Sequence, residues 1–259
     1  MADDRYLTIR ELLASSRPED LRRGLELVKR EIARIGSAEA RELFEVVTSL
    51  FYLDTFEQPQ LAPFVEEAIS LVVGFGHWVI PALVEKLDAS DFKAELAAAA
   101  ALGRIGADAI EPLLGAYARA DEDRRVFILY ALGKIRSARV LAAVPALLEA
   151  AGSSHTEVRD TATRALGKVA ESLAPTELGG DLRRAVVGRL LANLVDRSPV
   201  IRAKAVRSLG KLAKLGHMTP DECAELGTVC ASLLGTDDAH TWDHAYIVRR
   251  EAEEAMRYL

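Results

Sequence analysis

Apolar residues along most of this chain recur three or four positions apart, which is the spacing of one face of an α-helix. In VRDTATRALGKVA, residues 158–170, this apolar stripe consists of Ala162, Leu166 and Val169. Gly167 interrupts the same segment, although glycine inside a helix costs about 0.5 to 1 kcal/mol relative to alanine. The pattern therefore predicts a helix whose interior glycine needs a physical reason.

The same pattern occurs four times, so the chain contains an internal repeat. Each copy has leucine immediately before the glycine, a small residue two positions before it and an apolar residue two positions after it. The repeated glycines are Gly103, Gly133, Gly167 and Gly210. Because the apolar phase continues past each glycine, we expect a neighbouring helix to approach so closely there that a side chain would obstruct it.

A column of arginines accompanies the repeat. Eight residues before the glycine, the first copy has Glu95 and the other three copies have arginine. A last copy, in which the glycine is missing, has arginine at the same position. The members of the column are Arg125, Arg159, Arg202 and Arg249. Acidic partners stand at or near predicted helix starts, namely Asp121, Glu122, Asp160 and Asp196. We expect ion pairs between repeats, worth about 0.2 to 1 kcal/mol each, with an anion-binding ridge as the alternative.

A second apolar pattern lies between the copies, beginning at Trp78, Ala109 and Val140. Proline is near the start of each segment, where a helix tolerates it. Each such segment and the repeat that follows it predict a helical hairpin. Residues 7–15, 19–35, 39–53 and 60–73 also have helical patterns but lack the motif. We therefore expect degenerate hairpins over residues 1–75 that cap the repeats of residues 76–259, the two parts forming one continuous solenoid.

Several residues mark predicted helix ends. Gly106 and Gly216 are expected to stop helices, Ser198 followed by Pro199 to start one, and Thr219 with Glu222 to form a capping box. Residues 172–181, SLAPTELGGD, are expected to form a loop inserted between two repeats.

Composition and charge limit the classes of function. The formal net charge of -6 and a pI near 5.5 argue against a generic nucleic-acid binder. The first ten residues lack the pattern of a secretory signal, and the apolar runs are too short to span a bilayer. We therefore expect a cytoplasmic protein without a membrane partner. Cys223 and Cys230 are seven residues apart on one predicted helix, too far for a disulfide, and are expected to be buried thiols.

The residue types that carry catalysis or bind metals are sparse. Lysine follows three of the repeated glycines, but the neighbouring residues do not fit a phosphate-binding loop. The one candidate metal cluster is on a predicted loop and comprises Asp238, His240, Asp243 and His244. Its spacing is poor evidence for a metal site, so we expect a solvated loop and neither a metal nor another cofactor.

The motif V-R-x-x-A-x-x-A-L-G-K-V, with the helices between its copies, resembles HEAT repeats, and among them the short HEAT-like repeats of phycobilisome lyases. The resemblance covers about residues 76–259. It implies an all-α fold, a right-handed α-solenoid of HEAT-like hairpins whose second helices line a concave face. Members of the family act as scaffolds, assembly factors, bilin lyase subunits or, rarely, enzymes. The repeated His-Glu pairs of deoxyhypusine hydroxylase, a HEAT-like iron enzyme, are missing from this sequence.

A repeat rich in packing residues and poor in convergent catalytic groups favours a non-catalytic scaffold or assembly subunit that binds another protein. The candidate residues for its binding face are Glu111, Tyr117, Arg119, Glu149 and Arg189. An enzyme-class alternative, suggested by the resemblance alone, is a bilin or other tetrapyrrole lyase or attachment chaperone. A third hypothesis is a HEAT-like DNA glycosylase acting through Trp78 or Trp242, against which the acidic charge and the few aromatic residues count.

Overall fold

A computed structural model describes residues 6–88 and 90–259 of the chain. All regular secondary structure in these residues is helical, which confirms the all-α class. The α-helices are α1 Leu7–Leu13, α2 Pro18–Ile35, α3 Arg41–Thr48, α4 Ala62–Gly74, α5 Ile80–Glu85, α6 Phe92–Ile105, α7 Ile110–Tyr117, α8 Glu122–Leu132, α9 Val144–Ala150, α10 Thr156–Val169, α11 Gly180–Ala192, α12 Pro199–Lys214, α13 Pro220–Leu234 and α14 Tyr246–Ala255. Short 3-10 turns extend several of them.

The chain divides into two compact units, Met1–Ala116 and Tyr117–Leu259. In the first unit, α1 packs on α2, α3 on α4, and both α4 and α5 on α6. Leu21, Leu25 and Val28 of α2 are fully buried, as a core-facing helix stripe requires. The four helices expected before residue 75 are present as α1 to α4; their role as a cap continuous with the repeats stays a prediction.

The second unit consists of two layers of helices. α8, α10, α12 and α14 pack side by side in chain order and form what we call the motif-helix layer. α9 packs on α10, α11 on α12 and α13 on α14; these three form the partner-helix layer. This is the stack of helical hairpins that the sequence repeat predicts.

Repeated glycines allow neighbouring motif helices to come close together. A Cβ atom added to Gly167 would lie 2.6 Å from the Cβ and 2.8 Å from the Cα of Ser208. Added to Gly133 it would lie 3.1 Å from the Cβ of Ala165, and added to Gly210 it would lie 3.0 Å from the Cβ of Ala255. Each of these three glycines thus contacts a small residue of the next motif helix, two positions before the place that corresponds to the glycine. Leucine or any branched side chain at these glycines would separate the helices.

Most of the predicted helix ends are present. Gly106, with φ of 87°, follows the last residue of α6, and Gly216, with φ of 75°, lies two residues after the end of α12. The capping box of Thr219 and Glu222 starts α13. α12 begins at Pro199, but the Ser198 hydroxyl makes no capping bond. The backbone N–H of Ser198 instead donates to the Asp196 carboxylate at 2.8 Å.

Both cysteines are free thiols, as their spacing predicted. Cys230 is fully buried, and burial raises the pKa of its thiol to about 11. Cys223 is only half-buried, so the expectation of two buried thiols was wrong for it. It lies in the first turn of α13, which packs only one face against the motif-helix layer.

In residues 6–88 and 90–259, no single helix combines the length and the apolar character needed to cross a bilayer; one sharply bent pair, Pro59–Gly74 with His77–Asp88, does so only when its two parts are taken together.

Candidate functional site

The arginine column forms a ladder of ion pairs between successive hairpins of the second unit. Arg159 of α10 donates from Nε to Oδ2 of Asp196 at 2.6 Å. Arg202 of α12 donates from Nε and Nη2 to the two carboxylate oxygens of Asp243 at 2.6 and 2.8 Å. The side chains of Asp196 and Asp243 are 9% and 6% exposed, so both pairs are largely shielded from water.

The ladder also holds the loops before the motif helices. Nη1 of Arg202 donates to the backbone carbonyl of Asp196 at 2.8 Å, and Nη1 of Arg249 donates to that of Asp243 at 2.6 Å. Each aspartate thus joins two arginines, one through its carboxylate and one through its carbonyl. Arg125 differs, because its guanidinium lies 4.9 Å from the centre of the Tyr117 ring and its buried Nε has no hydrogen-bond partner.

Protonation equilibria of the two aspartates follow from these contacts. The hydrogen bond from Arg202 holds the pKa of the Asp243 carboxyl below its usual value, against the opposing effect of burial. Burial acts to raise the pKa of Asp196, but hydrogen bonds from Arg159 and from the Ser198 N–H outweigh it and lower that pKa. Both carboxylates are therefore charged at neutral pH and serve as ion-pair partners.

Other acids expected to pair with the arginines have different partners. Asp160 pairs with Lys204, Asp121 caps α8 by accepting from the Arg124 N–H at 3.0 Å, and Glu122 lies 3.8 Å from Nε2 of His155. The arginine ladder therefore uses Asp196 from the expected acids and Asp243, which the sequence suggested only as a metal candidate.

The candidate metal cluster does not form a converging set of ligands. Asp243 is bound to Arg202, whereas Asp238, His240 and His244 are exposed along the loop before α14. In the described ranges 6–88 and 90–259, no three His, Cys, Asp or Glu side chains come together in a way that could hold a metal ion.

The five residues expected on the binding face are distributed over α7, α9, α11 and the turn after α7. Tyr117 is only 6% exposed; burial raises the pKa of its phenol, the charge of Glu149 adds to this, and Arg125 opposes it. Arg189 covers Gly152, where an added Cβ would lie 3.1 Å from the guanidinium carbon. Glu111 and Arg119 are exposed. The structure thus brings Tyr117 and Glu149 together within the second unit.

Sequence reasoning missed the outward stripe of the motif-helix layer. The stripe consists of the positions six and three residues before each repeated glycine and one residue after it, which share one helix face. Its partly or fully exposed polar members, on α8, α10 and α12 and in the turn after α8, are Tyr130, Lys134, Thr161, Arg164, Lys168, Lys204, Arg207 and Lys211. The sequence contained one signal of this stripe, because lysine follows three of the repeated glycines.

A groove of about 120 Å³ lies on this stripe. Its floor includes Gly133 and Ala165, the closely packed pair of α8 and α10. Five cationic side chains line it, and we call the site they form the basic groove: Lys134, Arg136, Arg164, Lys168 and Lys204. Among the described residues that line the groove, none has an acidic side chain.

Carboxylates beside the basic groove neutralise only part of its charge. Glu171 is shared by three cations, with ion-pair distances of 2.6 Å to Lys211, 3.0 Å to Arg136 and 3.2 Å to Lys168. Burial acts to raise the pKa of Glu171, but hydrogen bonds from Lys211 and Lys168 outweigh it and lower that pKa. One carboxylate therefore faces three positive charges.

The family of HEAT repeats matches residues 143–173, which contain α9 and α10. The matched segment, one hairpin of the second unit, is thus similar to a HEAT repeat. In this HEAT repeat α9 is the first helix and α10 the second. The motif helices therefore occupy the position that the family resemblance assigns to the concave face, and Glu149 and Arg189 lie on the other layer. No curated protein matches the chain.

Solved structures similar to this chain support the solenoid class. The complex of CpcE and CpcF of phycocyanin lyase from Nostoc sp. PCC7120 matches with a TM-score of 0.54 and 23% identity over 69% of this chain and 98% of that one. An archaeal HEAT-like repeats protein from Thermococcus onnurineus NA1 matches with a TM-score of 0.52 and 15% identity, over 96% and 95% of the two chains. A designed armadillo repeat protein in complex with the peptide (KR)4 matches at 0.50 and 16%, over 96% and 97%. At these identities the likeness shows the fold.

Proposed function

We propose that this protein is a non-catalytic scaffold or assembly subunit that holds another protein against the motif-helix layer of its second unit. The observation that carries the proposal is the basic groove together with the outward stripe, a polar surface that continues across α8, α10 and α12. A stack of repeats presents such side chains at regular intervals on a rigid support, which suits recognition of an extended partner.

The chemistry of the second unit favours binding over catalysis. Among the described residues of this unit, each carboxylate with a lowered pKa is paired with an arginine or a lysine. Asp196, Asp243 and Glu251 are examples. Cys230 is buried with a raised pKa, which makes it a poor nucleophile at neutral pH. These groups therefore suit structural roles.

Two of the similar structures support a role in binding proteins or peptides. One of them is a complex of two lyase chains and another is a designed repeat protein with a bound peptide. The repeat fold is thus one on which proteins and peptides are bound. A tetrapyrrole-attachment role for this chain rests only on the likeness to the first of these structures.

Photo-crosslinking from two positions tests the proposal. A benzoylphenylalanine placed at Thr161, which lines the basic groove and carries no charge, is expected to crosslink one protein at a stoichiometric level in cells of the source organism. The same group at Glu149, on the partner-helix layer, is the matched control and is expected to give no adduct, because its side chain lies on the opposite layer of the hairpins.

Three outcomes would contradict the proposal. One is the absence of a stoichiometric partner from either position. Another is an adduct from Glu149 alone, which would assign binding to the partner-helix layer and to the residues first expected there. The third is purified protein with visible absorbance from a bound tetrapyrrole, which would support the attachment role.

A further inference from the structure

We infer that the basic groove binds an acidic segment of the partner protein, an extended stretch in which Asp or Glu recurs about every third residue. This inference rests on the proposed function, since it assumes a protein partner on the motif-helix layer. It adds the chemical class of the recognised segment and the residues that recognise it.

Two cations of the basic groove are available for a partner. Arg164 is exposed and makes neither an ion pair nor a hydrogen bond within the described part of the chain. Lys134 is exposed, and its ammonium lies 5.0 Å from the centre of the Tyr130 ring, a cation–π contact that leaves its charge uncompensated. Arg164 presents a planar set of donors that matches a carboxylate.

The remaining cations keep the local charge positive. Lys204 is neutralised by Asp160, but Arg136 and Lys168 share Glu171 with a third cation outside the groove. The basic groove is thus a positive site in a chain whose formal net charge is -6. A partner segment that brings carboxylates here gains attraction from charges that the protein itself leaves unpaired.

Helix spacing sets the period of the expected segment. Packed helices have interaxial distances of about 8 to 10 Å, and an extended chain in the polyproline II conformation advances about 3.1 Å per residue and turns every third side chain to the same side. Carboxylates three residues apart therefore reach neighbouring motif helices, one near Lys134 in the turn after α8 and the next near Arg164 of α10.

A nucleic acid fits the same surface less well, because the sign of the charge reverses on α14. Glu251 and Glu254 lie on that helix beside the stripe of α12, where Glu251 accepts from Nε of Arg207 at 2.8 Å. A continuous phosphate backbone that crossed the motif-helix layer would meet these carboxylates. A short acidic peptide confined to α8, α10 and α12 does not.

Fluorescence anisotropy of labelled probes tests the inference with the full-length protein. The probe is a twelve-residue peptide with four Glu-Gly-Ser repeats; the comparison probes are the same peptide with lysine in place of glutamate and a single-stranded DNA of twelve nucleotides. We expect saturable binding of the glutamate peptide that weakens with added salt. The lysine peptide should not bind, and the DNA should bind more weakly than the glutamate peptide.

Charge variants locate the binding. Arg164→Glu should weaken binding of the glutamate peptide about tenfold, which corresponds to about 1.4 kcal/mol. Arg164→Gln should weaken it less. Arg184→Glu is the matched control, because Arg184 is an exposed arginine of α11 on the partner-helix layer, and it should leave the affinity unchanged. Circular dichroism verifies that each variant is folded.

The inference is overturned if the glutamate peptide fails to bind, if Arg164→Glu and Arg184→Glu weaken it equally, or if the DNA binds more tightly. The proposed function is tested separately by the crosslink from Thr161, which leaves the cations of the basic groove in place. A stoichiometric protein adduct together with no peptide binding would refute the acidic segment and leave the scaffold intact. Peptide binding without any cellular partner would contradict the scaffold alone.

Discussion

Replacing Gly167 with alanine tests the packing of the motif helices directly. The added methyl group would lie 2.6 Å from the Cβ and 2.8 Å from the Cα of Ser208, well inside van der Waals contact. Because the second of these atoms belongs to the backbone of α12, a rotamer change cannot relieve the overlap. Either α12 moves away from α10 or both helices distort.

Two opposing effects determine how much Gly167→Ala changes the free energy of unfolding. Alanine gains about 0.5 to 1 kcal/mol over glycine in a helix interior, whereas overpacking a close contact costs about 1 to 3 kcal/mol. Any displacement of Ser208 also strains its buried hydrogen bond to the Thr163 carbonyl, 3.0 Å long in the wild-type protein. We therefore expect Gly167→Ala to lower the free energy of unfolding by about 1 to 2 kcal/mol.

Urea unfolding followed by circular dichroism measures the effect. Gly188→Ala is the control, because Gly188 lies within α11, and no heavy atom lies within 4 Å of an added Cβ there. It should be neutral or stabilising. Gly133→Ala, with its nearest contact at 3.1 Å, should fall between the two. The reasoning is refuted if Gly167→Ala is as stable as Gly188→Ala.

Three further predictions concern the ion pairs and the thiols. Asp243→Asn should destabilise the protein by about 3 kcal/mol in the same urea assay, because it leaves the Arg202 guanidinium unpaired in a largely buried position; an effect below about 0.5 kcal/mol would contradict the ladder. The pKa of Asp243 and of Asp196 is lowered by folding, so their stabilisation is complete above the unfolded pKa of about 3.9 and is lost as pH falls further. The difference in unfolding free energy between wild type and Asp243→Asn should therefore shrink below about pH 4, and a difference independent of pH there would be inconsistent with the assignment. With iodoacetamide at about pH 8, the native protein should be alkylated at Cys223 before Cys230, as mass spectrometry of the peptides would show; equal rates would contradict the burial of Cys230.

Most of the fold could be predicted because packing imposes its period on the sequence. The stripe of Ala162, Leu166 and Val169 specifies which side of α10 is buried, and all three are buried. The glycines indicated a close helix approach because few other reasons place glycine inside a helix. Gly133, Gly167 and Gly210 show that approach, but Gly133 follows the last residue of α8, so the expectation that the helix continues past it was wrong.

Partner choice in the arginine ladder could not be predicted to the same extent. Asp196 lies near the start of α12 and Asp243 lies in the loop before α14, and in each case the pairing depends on how far the next hairpin is displaced along the stack. Spacing in the sequence carries no information on that displacement. Asp160 illustrates this, since it follows Arg159 in sequence but pairs with Lys204 of the next motif helix.

The candidate site was missed because surface positions lack a packing period that singles them out. Lys134 and Lys168 follow repeated glycines, so their recurrence was visible in the sequence. Their convergence with Arg164 on one groove follows only from the side-by-side packing of α8 and α10. The opposite error occurred at Tyr117. This aromatic residue was expected on a binding face, but it is buried under Arg125.

Chemical footprinting of the complex with its crosslinked partner shows which layer of the second unit the partner covers. Lysine acetylation and carboxyl labelling, measured residue by residue by mass spectrometry, compare the free and the bound protein. We expect Lys134 and Lys168 to lose reactivity in the complex, whereas Lys29 of α2 and Glu149 of α9 react as they do in the free protein. Unchanged reactivity of Lys134 and Lys168 in an intact complex, with protection of Glu149 instead, would contradict this expectation.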